Sequence, residues 1–199
     1  MKTDDPFFYL PLQGKRLRLT ALHESDLDLL QDFFQDMESL IYYIPTIPRP
    51  LNRKQLYSLL DNWNDGVSNF IFAVRVADQL IGLVNIDGLD WPNSHAEIGI
   101  ALTEPDMRGQ GYATEAIAVL LRYCFYDLGL HRVWARIIED NTPSIRLFQS
   151  LGFKPEGALR QHILRQGQFR DMLFFGILKP EWEELKKNMG IESDSQNDQ

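Results

Sequence analysis

An arginine and two glycines form a short segment that could bind a phosphate group. Arg108, Gly109 and Gly111 stand between an alternating apolar pattern, which predicts a strand, and a helical apolar pattern. The start of a helix presents unpaired backbone N–H groups and the positive end of its dipole, and both favour an anion. Glycine lets the backbone approach that anion closely, and arginine can add a charged hydrogen bond. The spacing therefore predicts a phosphate or pyrophosphate site.

The strand and helix on either side of this loop can be placed from their apolar residues. In residues 95–102, alternate side chains are apolar and are predicted to face a core: Ala96, Ile98, Ile100 and Leu102. On the opposite face, Gly99 and Ala101 are small and leave room for a ligand beside the strand. The helix is predicted to begin near Tyr112 and to stop at Gly129, a residue suited to the position just past a helix end.

Two common phosphate loops do not fit this segment. A Walker loop would place Lys and then Ser or Thr directly after its last glycine, where this chain has Tyr112. A dinucleotide fingerprint would place Gly or Ala where this chain has Thr114. Because short glycine-rich loops are common, an ordinary tight turn before a helix remains an alternative that the rest of the chain has to exclude.

Composition limits the classes of protein that fit. The 199 residues include one cysteine and carry a formal net charge of −8. A single cysteine excludes an internal disulfide and a cysteine-based metal cluster, and the acidity argues against a nucleic-acid groove. No run is long and apolar enough to span a bilayer, and the first residues do not form a secretion signal. We expect a cytoplasmic protein with no metal and with neither nucleic acid nor a membrane as a partner.

The other patterns predict one mixed α/β (α+β) domain over residues 15–189. Residues 1–14 are predicted to form an N-terminal arm, and residues 190–199 an acidic, disordered tail. Helices are predicted after the capping residues Ser25 and Asn52, and after either Asn141 or Thr142. Residues 69–76 and 80–87 read as one hairpin, and residues 158–164 and 169–178 as another. The strand, helix and strand over residues 95–138 imply a right-handed crossover and a parallel pair.

The motif R-x-x-G-x-A at residues 108–113 resembles the coenzyme A pyrophosphate loop of the GNAT superfamily of N-acetyltransferases. A capped helix after the parallel strand, with Asn141 at its start and Leu151, Gly152 and Phe153 at its end, matches the same superfamily in the same order. Residues 155–157 and 167–171 resemble the branch that holds the ribosomal-protein alanine acetyltransferases and the spermidine or diamine acetyltransferases. The similarity covers roughly residues 15–182.

The resemblance implies a GNAT-like fold and acetyl-CoA as the co-substrate. A central, mostly antiparallel sheet would carry helices on both faces, and its one parallel pair, at Glu97 and Val133, would splay apart. The pantetheine would lie between the splayed strands, and the pyrophosphate on the loop. The implied cofactor-binding residues are Ile100, Ala101, Leu102, Arg108, Gly109, Gln110, Gly111, Tyr112, Ala113, Thr114, Asn141 and Phe148.

Glu97 and Ser144 are the candidate catalytic residues. An alkyl amine is protonated near neutral pH, so a base must remove a proton before the amine attacks a thioester. Glu97 stands at the family's carboxylate position and is interpreted as that base, directly or through water, or as a contact to a cationic substrate. Many relatives protonate the leaving thiolate with a tyrosine, but the matching residue here is Phe148, which leaves Ser144 or a water as donor.

The implied function is acetyl transfer to a primary amine by direct attack on the thioester. The acceptor stays open between a protein N-terminus, a polyamine and another small amine. Since Phe148 departs from the family pattern, the alternative is a non-catalytic acetyl-CoA-binding regulatory module.

Aromatic residues outside the motifs have open roles. Tyr42, Tyr43 and Trp63 could stack on the acceptor or fill the core. The arm residues Phe7, Phe8 and Tyr9 could dock on a second subunit, so a homodimer is one option.

Overall fold

The computed structural model describes residues 12–44 and 47–188. Most of the predicted arm and all of the predicted tail lie outside these ranges. Within them, seven strands form one sheet: β1 (Arg18–Thr20), β2 (Phe70–Val76), β3 (Gln79–Asp90), β4 (His95–Leu102), β5 (Arg132–Ile138), β6 (Lys154–Arg165) and β7 (Gln168–Leu178). The described α-helices are α1 (Asp26–Phe33), α2 (Met37–Tyr43), α3 (Arg53–Asn62), α4 (Tyr112–Arg122), α5 (Thr142–Ser150) and α6 (Lys179–Asn188).

The strands lie in the order β1-β2-β3-β4-β5-β7-β6, and every neighbouring pair is antiparallel except β4 and β5. The parallel pairing runs only from His95 opposite Arg132 to Glu97 opposite Trp134. Beyond that point β4 stays paired with β3 as far as Leu102, while β5 stays paired with β7. The predicted fold class, with its one splayed parallel pair, is confirmed.

Helices cover both faces of the sheet. Helix α4 buries Ile117, Leu120 and Leu121 against strand residues such as Ile98 on one face. Helices α1 to α3 bury a second cluster on the other face, and Leu83 of β3 packs into it. Successive strand residues point to opposite faces, so Val84 joins the first cluster while Leu83 joins the second. Within the described ranges, no helix combines the length and apolarity that crossing a bilayer requires.

The local predictions have mixed outcomes. Asn52 caps α3 in a capping box, in which Gln55 N donates to Asn52 Oδ1 (3.0 Å) and Asn52 N donates to Gln55 Oε1 (3.0 Å). Ser25 is the N-cap residue of α1, as predicted, but its side chain makes no capping hydrogen bond. Asp26 Oδ2 instead accepts from His23 N (2.7 Å) and pairs with Arg75. Both predicted hairpins are present.

Helix α2 was not predicted. Asp36 caps it by accepting hydrogen bonds from Glu38 N (3.2 Å) and Ser39 N (3.0 Å). A hydrogen bond from the Ser39 side chain is the largest effect that lowers the pKa of the Asp36 carboxyl, and these backbone hydrogen bonds add to it. The helix has seven residues and only Leu40 is buried, so it lacks the repeated apolar stripe that identifies longer helices in a sequence.

Candidate active site

A cavity of about 1220 Å³ opens where β4 and β5 separate. One end is formed by the loop that leads from β4 into α4, and the other end by α2 and the middle of β3. The start of α5 lies along its side. The cavity therefore connects the predicted phosphate loop with a region that the sequence did not single out.

The loop ends in a helix start without a side-chain cap. Gly109 and Gly111 have φ of 71° and 81°, in the left-handed region that glycine enters without strain. Gly111 is the N-cap of α4 and supplies no side chain to accept a hydrogen bond. The first N–H groups of a helix have no intrahelical acceptor, so those of Tyr112, Ala113 and Thr114 can serve an anion. All three residues line the cavity, and this arrangement fits a pyrophosphate.

Arg108 ties this loop to the end of β4. Its Nη2 and Nε donate to the Leu102 carbonyl at 3.0 Å and 3.3 Å. The side chain is exposed and lines the cavity. A fixed guanidinium beside an uncapped helix start adds a positive charge where a phosphate would lie.

Arg16, which the sequence analysis missed, supports the loop from the other side. Its backbone N and Nε donate to the two carboxylate oxygens of Glu115, at 2.6 Å and 2.7 Å. Its Nη1 donates to the Gln110 carbonyl (3.0 Å), and its guanidinium lies 4.5 Å from the centre of the Tyr112 ring. No local motif could reveal this contact, because 99 positions separate Arg16 from Glu115.

Gln110 is the one predicted cofactor residue that does not line the cavity. Its Nε2 donates to the Asp106 carbonyl (2.5 Å), and its own carbonyl accepts from Arg16. Its contacts support the shape of the loop.

The exposed edge of β4 forms the wall next to the loop. Ile100, Ala101 and Leu102 line the cavity and lie beyond the last residue of β4 that pairs with β5. On their other side they pair with β3. Backbone groups on the side of β5 are therefore placed to bind an extended ligand by strand-like hydrogen bonds.

The start of α5 brings two more predicted residues to the cavity. Asn141 Oδ1 accepts from Ser144 N (3.3 Å), so Asn141 caps the helix, and both side chains line the cavity. Phe148 also reaches the lining but is only 3% exposed, with its ring edge-to-face against Phe153 at 4.9 Å. A hydrophobic ring stands where the family resemblance implies a tyrosine. Ser144 and Ser150 are the hydroxyl residues of this helix that line the cavity, and the Ser150 hydroxyl donates to the Leu147 carbonyl (2.7 Å).

Glu97 lies where β4 and β5 begin to separate. Its Oε1 accepts from Arg136 Nε of β5 at 2.8 Å, and its side chain is 15% exposed. This ion pair links the two strands at the last paired position, which fixes the carboxylate at the mouth of the splay.

Asp87 of β3 stands opposite Glu97 in the strand register. Burial raises the pKa of the Asp87 carboxyl to about 6, and the negative charge of Glu97 adds to the effect. Asn85 Nδ2 donates to this carboxylate. The sequence analysis missed Asp87, although Asn85 and Asp87 are two polar residues on the same face of an otherwise apolar strand, and that pattern is a usable signal.

The end of the cavity near α2 is acidic. Among the described lining residues, the acidic ones are Asp36, Glu38, Asp87, Glu97 and Asp140, and the basic ones are Arg108, Arg136 and Arg146. Arg108 is at the loop, and Arg136 is paired with Glu97. Asp140 pairs with Arg170, and the Asp36 carboxylate caps α2 and interacts electrostatically with Arg108. Glu38 and Asp87 are the remaining carboxylates, and they favour a cationic group in this part of the cavity.

Three other residues that the sequence brings into question are Tyr43, His95 and Cys124, and their surroundings differ. Tyr43 packs edge-to-face on Phe33 (5.6 Å) and Trp63 (5.8 Å) in the second core cluster, and it also lines the cavity. His95 is outside the lining and faces Asp90, with Nε2 3.7 Å from Oδ2. Cys124 is fully buried, and burial raises the pKa of its thiol, which makes it unreactive.

Comparisons with known proteins agree with this geometry. Residues 16–154 match the model of the acetyltransferase (GNAT) domain family. The chain is 33% identical to the uncharacterised N-acetyltransferase p20 of Bacillus licheniformis, over 86% of this chain and 97% of that protein. It is 24% identical to the spermidine N(1)-acetyltransferase of Vibrio cholerae, over 85% of this chain and 96% of that protein.

A solved structure shares the whole architecture. The Vibrio cholerae spermidine N-acetyltransferase in complex with CoA and spermine superposes with a TM-score of 0.77 at 25% identity, covering 85% of this chain and 99% of that chain. With the family match, the relatives and the shared fold in agreement, the chain belongs to the GNAT family of N-acetyltransferases.

Proposed function

We propose that this enzyme transfers the acetyl group of acetyl-CoA to a primary amine by direct attack on the thioester. One observation carries the proposal: a single cavity joins an uncapped, glycine-led helix start to an acidic end across the gap between β4 and β5. The first end suits a pyrophosphate, and the second suits an ammonium group. The gap between them is open along one strand edge, where an extended pantetheine could bind.

In this proposal, the cofactor is held mainly by backbone groups. The N–H groups at the start of α4 and the Arg108 side chain would bind the pyrophosphate, and the edge of β4 at residues 100–102 would bind the pantetheine. Asn141 would add a polar contact through its amide. An N–H near Ile100 would also stabilise the oxyanion that forms when the thioester is attacked. Acetyl-CoA supplies the activated acetyl group.

Two side chains have proposed catalytic roles. Glu97 contacts the acceptor amine or removes its proton, directly or through water, because it lies at the mouth of the splay. Ser144, or a water beside it, donates the proton that the thiolate needs. A thiol has a pKa near 8.5, so it leaves tolerably well even with a weak donor, and Phe148 does not preclude turnover.

The acceptor is proposed to be a cationic primary amine, either a polyamine or a protein N-terminus. The acidic lining near α2 supports this class, and so does the similarity to spermidine acetyltransferases. We also propose that the enzyme acts in the cytoplasm, and a homodimer remains a prediction.

Release of CoA thiol from acetyl-CoA, measured with a panel of amines, tests this function. The panel contains spermidine, an amino sugar and peptides with free N-termini, and acetyl-CoA binding is measured on the same protein sample. Amine-dependent release is expected, and the responding amine identifies the acceptor class. Tight acetyl-CoA binding without release by any amine would favour the regulatory module instead.

A further inference from the structure

Asn85 carries a buried acceptor atom that no described residue satisfies. The residue is 8% exposed and lines the cavity. Its Nδ2 donates to Asp87, but its Oδ1 accepts no hydrogen bond from any described residue. An unsatisfied buried acceptor costs free energy, and because this one faces the cavity it is available to accept a hydrogen bond from a bound ligand.

Gly99 of β4 makes room for this amide. A Cβ atom at Gly99 would lie 2.7 Å from Asn85 Oδ1 and 3.1 Å from Asn85 Nδ2, closer than non-bonded atoms approach. Asn85 and Gly99 are partners in the β3–β4 register. The amide therefore lies over the glycine, and any side chain at this position would displace it from the cavity.

Tyr43 of α2 lines the same cavity as Asn85 and Asp87. Its hydroxyl is buried without a partner among the described residues. Burial raises the pKa of Tyr43, and the nearby Asp87 charge adds to the effect, so the two groups are close enough to interact. Three oxygen groups can therefore accept a further hydrogen bond: the Tyr43 hydroxyl, Asn85 Oδ1 and the Asp87 carboxylate.

We propose that Asn85 Oδ1 and the Asp87 carboxylate bind the ammonium group of the acceptor beneath the Tyr43 hydroxyl, and that Asp87 removes its proton. This inference rests on the proposed function and gives the acceptor a defined subsite. An alkylammonium has three N–H donors, which matches the three oxygen groups. A primary amine therefore suits this subsite better than a secondary or tertiary one.

One ammonium proton moves to the Asp87 carboxylate, and the freed nitrogen lone pair attacks the thioester carbonyl carbon. A C–N bond forms, the C–S bond breaks, and the sulfur leaves with the bonding electron pair. The nitrogen then loses a second proton, which the thiolate takes up through Ser144 or a water. The products are the acetamide, CoA thiol and the proton on Asp87, which is released to solvent.

The charges around Asp87 favour it as the proton acceptor. Glu97 of β4 raises the pKa of Asp87, and Arg136 of β5 lowers it, but burial is the largest effect. The other groups that face it are the neutral Asn85 of β3 and Tyr43 of α2. A carboxylate with a pKa near 6 is ionised at pH 7.5 and is a stronger base than an ordinary aspartate. Glu97, in contrast, is engaged by Arg136, so we assign the contact to the acceptor amine to Glu97 and the proton transfer to Asp87.

The subsite can be tested without turnover by NMR titration of the full-length protein labelled with ¹³C at aspartate carboxyls. Asp87→Asn identifies the Asp87 signal. Ethylammonium chloride is the probe, since it carries the ammonium group and almost nothing else, and potassium chloride at equal ionic strength is the control. We expect ethylammonium to lower the pKa of Asp87 by about one unit in wild type, because a bound cation favours the carboxylate. The shift should be absent in Asn85→Ala.

The second test measures kcat and KM with the amine that the panel identifies. Asp87→Asn should lower kcat/KM about 10²- to 10⁴-fold, the usual contribution of a general base. Asn85→Ala should raise KM for the amine about tenfold while kcat changes less. Asp90→Asn, on the same strand but outside the cavity lining, should behave as wild type.

The outcomes separate this inference from the proposed function. An Asp87 signal that responds equally to ethylammonium and potassium would overturn the subsite even if some amine releases CoA. If no amine releases CoA but ethylammonium selectively shifts Asp87, the ammonium subsite stands and the proposed function fails. Turnover that survives Asp87→Asn at the wild-type level would remove Asp87 from the chemistry.

Discussion

The two ends of the cavity are built in different ways. The proposed cofactor end comes almost entirely from one continuous stretch, residues 100–114, and its proposed binding groups are mainly backbone N–H groups at the start of α4. The acceptor end is assembled from side chains on α2, β3, β4 and β5, whose key members are Tyr43, Asn85, Asp87 and Glu97. The difference predicts that substitutions alter the acceptor end more readily than the cofactor end. Backbone groups persist when side chains change, whereas a side-chain site changes with every substitution.

Removing the charge at the cofactor end should give the largest effect on CoA binding. Arg108→Ala deletes a guanidinium beside the uncapped helix start, so we expect CoA to bind more weakly by about 1–3 kcal/mol, or about 5- to 150-fold. Isothermal titration with CoA measures this change. Arg53→Ala removes an arginine whose ion pairs lie on α1 and before it, outside this cavity, and should leave CoA binding unchanged. An unaltered affinity in Arg108→Ala would contradict the phosphate assignment.

A single methyl group should damage the acceptor end selectively. Gly99→Ala would place a Cβ 2.7 Å from Asn85 Oδ1 and push that amide out of position. We expect KM for the amine to rise about tenfold, a cost typical of a lost hydrogen bond to a charged group, while CoA affinity stays within about twofold. Gly157→Ala on β6 is the matched control, because a Cβ there meets nothing within 4 Å. A loss of CoA affinity with an unchanged KM for the amine would show that Gly99 supports CoA binding. That result would contradict the division of the cavity into a cofactor end and an acceptor end.

The raised pKa of Asp87 should also lower the free energy of unfolding of the protein at neutral pH. Because the pKa of Asp87 is raised in the folded protein from 3.8 to about 6, the stability that this group contributes is full below pH 3.8 and is lost as pH rises through 6. Asp87→Asn stays neutral, so at pH 7.5 it should be more stable than wild type by about 1 kcal/mol, after allowance for partial exposure. Thermal melts should show a gain of about 2–4 °C at pH 7.5 that disappears near pH 4. An Asp87→Asn variant that melts below wild type at pH 7.5 would show that the carboxylate is stabilised where it lies.

The smallest expected effect concerns the remote support of the cofactor end. Arg16→Ala removes the paired contact with Glu115 and the cover over Tyr112 without touching the helix N–H groups. Since Arg16 is partly exposed, we expect CoA to bind about two- to fivefold more weakly, the scale of an exposed ion pair. Titration with CoA at low and high salt should show the difference shrinking as salt rises. A loss as large as that of Arg108→Ala would make Arg16 a direct ligand.

The sequence predicted the elements of the cofactor end more completely than those of the acceptor end. The motif at residues 108–113 predicts the proposed cofactor end, because a strand, a loop and a helix that follow one another directly must lie together. Asp87 was not predicted as a site residue, because Glu97 becomes its neighbour only through strand pairing between β3 and β4. Arg16 was not predicted either, because 99 positions separate it from its partner Glu115 in the sequence. Helix α2 carries Tyr43 to the cavity but has only seven residues, too few for a clear periodic pattern.

The pH dependence of kcat/KM in Glu97→Gln tests the central claim most directly, namely that the acceptor end works through Asp87. In wild type, activity should rise with pH through about 6, the pKa of Asp87. Removing the Glu97 charge leaves Arg136 next to Asp87, so the acidic limb should move to lower pH while turnover at pH 7.5 persists. A Glu97→Gln variant that is inactive at every pH, beside an Asp87→Asn variant that is active, would make Glu97 the base and contradict the account.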